Sequence, residues 1–196
     1  MKPFLVALAI ALAPPGLWAD EFTVDGSVFG DRKVIVSYDP KTPHLYDVGA
    51  EVNLVQGSEL IAKLTGLGID WSWSGDHPER AIYRAEWNSH GDLLRIHYKA
   101  GRILTGFTVY RLNDDKTVTE VPVYKTVSAL YKDGKTGTPP QSSNNSGIHA
   151  LTWLSRSTLL CDIHTEDKGI SYVTVKIGRD NVPKITNIFQ LDDEDE

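Results

Sequence analysis

Apolar residues that alternate with polar ones constrain this chain more than any other feature. Leu94, Ile96 and Tyr98 are interleaved with Arg95, His97 and Lys99. Successive side chains of an extended strand point to opposite faces, so such a run offers one face to a core and the other to water or a partner. Related runs cover 33–38, 81–87 and 171–177, and Phe107, Val109 and Arg111 alternate with Thr108, Tyr110 and Leu112. Val118, Val121 and Val123 mark a further strand. These runs are rich in Val, Ile, Tyr, Thr and Trp, and Gly, Asp, Asn or Pro separates them. The pattern predicts an all-β fold of antiparallel sheets. One stretch, 58–64, has the length of a short helix and is followed by Gly66 and Gly68; a hairpin turning at Gln56-Gly57 accounts for the same residues.

An internal repeat is superimposed on the alternation. Trp87 stands six residues before Leu93-Leu94, and Trp153 stands six before Leu159-Leu160. A polar turn fills each gap, a strand follows, and each copy then reaches a glycine-bearing turn near Gly101 or Gly169. A further strand closes each copy. His97 and His164 fall near equivalent places, which points to a structural role. A fainter third copy, without the Trp, covers 28–36.

This unit resembles a blade of the TolB or WD40-like β-propellers, whose blades carry a strand ending in Trp, a Ser-Pro-Asp-Gly type turn and an apolar strand. Here the turn is Asn88-Ser89-His90-Gly91-Asp92, which keeps the Gly and lacks the Pro-Asp; the second copy lacks the Gly too. The resemblance covers the stretches near 81–112 and 148–177. It implies blade-like sheets. A propeller closes with about four to eight blades, so two or three copies imply an open propeller-like stack. The alternative is a two-sheet β-sandwich.

The N-terminus reads as an export signal. Lys2 supplies the positive charge, 4–13 is an apolar run too short to span a membrane, and Pro14, Pro15 and Gly16 break it. Cleavage after Ala19 would leave Asp20 at the new N-terminus. No second long apolar stretch follows, so no membrane span is expected after cleavage. Cys161 is the one cysteine, which excludes an internal disulfide and fits a bacterial periplasm or secretion without cross-links. Its strand-like surroundings, Leu159 to Ile163, mark it as a small buried apolar residue.

Net charge is −6. Loss of Lys2 takes it to −7, and the acidic tail Asp192 to Glu196 carries five of those charges, so the folded body is near −2. That balance argues against nucleic acid and anionic membrane as partners, since both need clustered Lys and Arg. The expected organisation is a signal peptide at 1–19, one all-β domain at 20–191 with a flexible polar loop near 133–147, and an acidic tail at 192–196.

Catalytic motifs are not legible. Gly134-Lys135-Thr136 lacks the earlier glycine and the helix of a phosphate loop, and no Gly-x-Ser-x-Gly elbow occurs. The six histidines show no His-x-x-x-His spacing, so neither a metal framework nor a cofactor is read. The most unusual segment runs from Asp70 to Arg80. On a strand Trp71 and Trp73 would share a face beside Asp76, His77, Glu79 and Arg80, a surface for a sugar ring or a partner side chain; the high average burial of tryptophan favours packing in the core or cover of a sheet edge instead. The expectation is an exported binding protein, with an envelope protein or a glycan as partner. Two alternatives remain: a hydrolase of envelope polymers using Asp76 and Glu79, and a subunit that pairs strand edges within a larger envelope complex.

Overall fold

Alternating runs become strands, and the strands form sheets in chain order. The structure, a computed structural model, describes residues 20–38, 50–67, 83–99, 105–132, 136–137 and 147–190. Among them are three four-stranded antiparallel sheets, each a meander of consecutive strands. The first holds β1 (Asp20–Thr23), β2 (Arg32–Tyr38), β3 (Ala50–Gln56) and β4 (Glu59–Leu64). The second holds β5 (Arg84–Trp87), β6 (Leu93–Lys99), β7 (Thr105–Leu112) and β8 (Val118–Val121). A helix, α1 (Val123–Lys132), leads to the third, with β9 (Ile148–Ser155), β10 (Thr158–Thr165), β11 (Gly169–Ile177) and β12 (Pro183–Gln190).

The expected all-β class holds, and the number of sheets is three rather than the two of a sandwich. The segment at 58–64 is the second strand of a hairpin. Gln56 pairs with Glu59 across Gly57-Ser58, and Gly57 takes the positive φ of 58° that a two-residue loop needs. The strand expected through Val123 ends at Val121 instead, and Pro122 separates it from α1. Val123, Val127 and Leu130 recur at helical spacing and all three are buried.

Period two explains why the sheets stack. In β6, Leu94 and Ile96 join Trp87 and Tyr110 in a core shared with Val34, Val36, Val52 and Leu54 of the first sheet. Leu93, Phe107, Val109 and Val121 point the other way. They form a second core with the helix and with Leu159, Cys161, Ile163, Val173 and Val175 of the third sheet. The second sheet is therefore lined with apolar residues on both faces, and a sheet lies against each. No described helix is long and apolar enough to cross a membrane.

Trp87 and Trp153 sit at the ends of these contacts. The Trp87 indole N–H donates to Ser27 O of the first-sheet segment at 2.7 Å, and the Trp153 indole donates to Glu86 O of the second sheet at 3.1 Å. Each repeat thus grips the backbone of the sheet before it. The first sheet, which has no predecessor among the described residues, carries no tryptophan in its strands. The repeats differ by one residue in register. Trp87 pairs with Leu94, the second leucine of its pair, whereas Trp153 pairs with Leu159, the first of its own. His97 consequently corresponds to Asp162, two residues from His164.

Candidate functional site

The surface expected at Trp71, Trp73, Asp76, His77, Glu79 and Arg80 lies outside the described residues, as do the signal segment, the acidic tail and most of the loop at 133–147. Among the described residues, the side chains with chemistry gather on and beneath the third sheet.

β9 and β10 place His149, Asp162 and His164 together. His149 stands opposite Asp162 across the strand pair, and His164 lies two residues on, on the same face. The His149 Nδ1 lies 2.8 Å from Asp162 Oδ1, and the His164 Nε2 lies 3.1 Å from Oδ2. The backbone N–H of His149 also donates to Oδ1, at 3.1 Å. The two imidazole rings meet edge to face, with centroids 5.1 Å apart. One ligand-type atom from each of the three residues lies within 4.8 Å of the others.

Asp162 is 8% exposed, whereas His164 keeps about a third of its side chain in contact with solvent. Burial alone would raise the Asp162 carboxyl. The hydrogen bonds and charges of His149 and His164 outweigh it and hold the carboxyl below its ordinary range. Tyr131 of α1 steadies the strand ends beside this group, donating its hydroxyl to His164 O at 2.9 Å and Gly147 O at 3.2 Å.

The row through Asp162 continues across the sheet. Asp162 pairs with Tyr172, and Tyr172 pairs with Phe189, whose ring stacks on it at 5.4 Å. His149, Asp162, Tyr172 and Phe189 thus form one line over four strands, on the face turned away from the second core. Ile170 pairs with His164 in the neighbouring line. Of eight exposed large apolar residues among those described, five belong to the third sheet or its turns: Leu151, Leu154, Ile170, Val182 and Phe189.

The corresponding face of the second sheet is covered by the third, and it too carries polar groups. Arg95 is paired with Glu86 at 2.5 Å and donates to the carbonyls of Ala150 and Leu151. His97 Nε2 lies 2.5 Å from Ala150 O and 3.0 Å from Arg95 Nη1. Burial, and then the Arg95 cation, push the His97 pKa down to about 4, so the imidazole is neutral at pH 7. Cys161 is fully buried in the same core, and burial pushes its thiol up to about 12, the state of an inert apolar filler rather than a nucleophile.

Further polar joints tie the sheet ends together. The buried Asn88 donates to Asp92 Oδ1 at 2.6 Å and to Arg156 O of the third sheet at 2.5 Å. Arg111 reaches Asn181 and Gly178. Arg32 donates to Gly91 O while its guanidinium lies over the Phe29 and Trp87 rings.

Sequence reasoning missed the His149–Asp162–His164 group because two β-bulges create it. Counting back from the pair Ser155–Thr158 with no bulge places Leu151 opposite Asp162. The register shifts at Leu154 and at Leu151, and each shift moves the pairing by one residue. The visible signal was Asp162-x-His164 on one strand with His149 one hairpin away. Neither a scan against models of known protein families nor a search of curated proteins finds a match for the chain.

Proposed function

We propose that this is an exported interaction protein, built as an open propeller-like stack of three blade-like sheets, that docks another protein on the outer face of its third sheet. The observation that carries the reading is the pair of exposed apolar side chains on that face, Ile170 at 41% and Phe189 at 38% exposure, beside the Tyr172 ring. The inter-sheet contacts support it. Faces of this build are packed by a neighbouring sheet between the first and second sheets and again between the second and third. The occupant that fits is a protein presenting a sheet face of similar apolar character. The export half rests on Lys2, the apolar run at 4–13 and the small residue Ala19.

Two measurements test this. N-terminal sequencing of the exported protein should give Asp20; a chain that keeps its first 19 residues removes the export claim. The mature protein should capture one stoichiometric protein partner from envelope extract, and a variant carrying Ile170→Glu and Phe189→Glu should lose it while unfolding at the wild-type urea midpoint. A partner retained by that variant, or self-association of the pure protein in light scattering, overturns the docking face as described.

A further inference from the structure

We propose that His149, Asp162 and His164 form a binding site for one divalent first-row transition metal ion, of the zinc type. Three features of the group carry the inference. The donors are two imidazole nitrogens and a carboxylate oxygen, a borderline set that suits zinc, copper(II) or nickel rather than the all-oxygen preference of calcium and magnesium. They sit on paired strands of a sheet, so their spacing is set by backbone hydrogen bonds rather than by a loop. Their distances are close to what coordination requires. Ligands about 2.0–2.1 Å from a tetrahedral zinc are roughly 3.3 Å apart. The His149 and His164 nitrogens already stand 2.8 and 3.1 Å from the Asp162 oxygens. One ligand-type atom from each of the three residues lies within 4.8 Å of the others, so a small rotation of the imidazoles closes the set.

In the metal-free state each imidazole donates a proton to the carboxylate. On binding, His149 Nδ1 and His164 Nε2 give up the hydrogens that face the carboxylate, to the other ring nitrogen or to solvent, and take the metal instead. Asp162 loses two side-chain partners and gains the ion, and the His149 backbone N–H continues to fix its Oδ1. Three protein donors leave a coordination position for water or for an atom from outside the chain, on the side where His164 meets solvent. The proposal stands apart from the docking role, and failure to capture a partner leaves it untouched.

The test is titration of the full mature chain with Zn²⁺ by calorimetry and by competition with a chromogenic chelator. One equivalent should bind with a dissociation constant in the micromolar range or tighter, and Zn²⁺ should raise the melting temperature. His164→Ala and His149→Ala should each weaken binding by about 10–100-fold and abolish the metal-dependent rise, even if their own melting temperatures are lower. His90→Ala, in the exposed β5–β6 turn, should bind as wild type. X-ray absorption of the zinc form should show two imidazoles and one carboxylate oxygen. No saturable uptake at 100-fold excess Zn²⁺, on the order of millimolar, or equal affinity in both histidine variants, overturns the proposal and leaves the group as a hydrogen-bonded clip.

Discussion

Trp87 and Trp153 perform the same task on successive sheets, and the task belongs to one atom of each indole. Trp87→Phe retains much of the ring but strands Ser27 O in a buried setting. The expected loss is about 1–3 kcal/mol, read as a lower urea midpoint at unchanged slope. The half-buried Trp153 should cost less. The repeat of Trp and Leu-Leu was legible because tryptophan is sparse and the Leu-Leu pair occurs only at 93–94 and 159–160, each time six residues after a Trp. The carbonyls that the indoles reach were not, since an acceptor on the main chain leaves no mark on residue type. His97 gives a second test at this scale. Its folded pKa of about 4 lies below its unfolded value, so between about pH 6.5 and 4 the unfolded chain binds a proton that the folded one refuses. Stability is full above that window and falls as pH drops through it, by about 3 kcal/mol at the limit. Urea titrations at pH 7 and 4.5 should show the fall in wild type and a shallower one in His97→Gln.

At the scale of elements, α1 shows where the reading failed. Val123, Thr126 and Val127 are β-branched, and Val123 follows Val121 at a strand-like interval. Local preference therefore pointed to a strand. The helix wins because Val123, Val127 and Leu130 seal the second core between β7, β9 and β12, a tertiary gain that propensity does not record. Leu130→Ala should therefore destabilise by about 2–5 kcal/mol. A loss under about 1 kcal/mol would mean that the helix only decorates the core. Most strands were legible because alternation and turn residues agree there, whereas at 58–64 a short helix and the hairpin at Gly57 fitted the residues alike until the pairing of Gln56 with Glu59 decided it. The β9–β10 bulges were not, since Leu151 and Leu154 resemble any other strand leucine until they are found exposed.

The three sheets share two cores, and the middle sheet belongs to both. Unfolding should therefore be one cooperative event, with far-ultraviolet dichroism and tryptophan fluorescence giving coincident urea transitions. Separated transitions would show the sheets behaving as independent units. The joint between the first two sheets depends on a close approach at Gly26, where Asp25 bridges to Arg84 in parallel. Gly26 has a φ of +72°, and a Cβ there would collide with Ala85 O. Gly26→Ala should cost about 2 kcal/mol or more, whereas Gly57→Ala, at similar φ but facing open space, should cost about 1–2 kcal/mol from the backbone alone. The sheet class and the repeat were legible at this scale, while the number of sheets depended on a first unit whose Trp is missing.

Because the indoles of Trp87 and Trp153 both reach backward, the described sheets have a direction, like an actin filament with unlike tips. Ser27 O of the first sheet is already taken by Trp87, and Thr152, the residue before Trp153, stands in the third sheet where Glu86 stands one unit earlier. Duplication of the gene segment for 147–190 would accordingly lengthen the array at its trailing tip and leave the existing order intact.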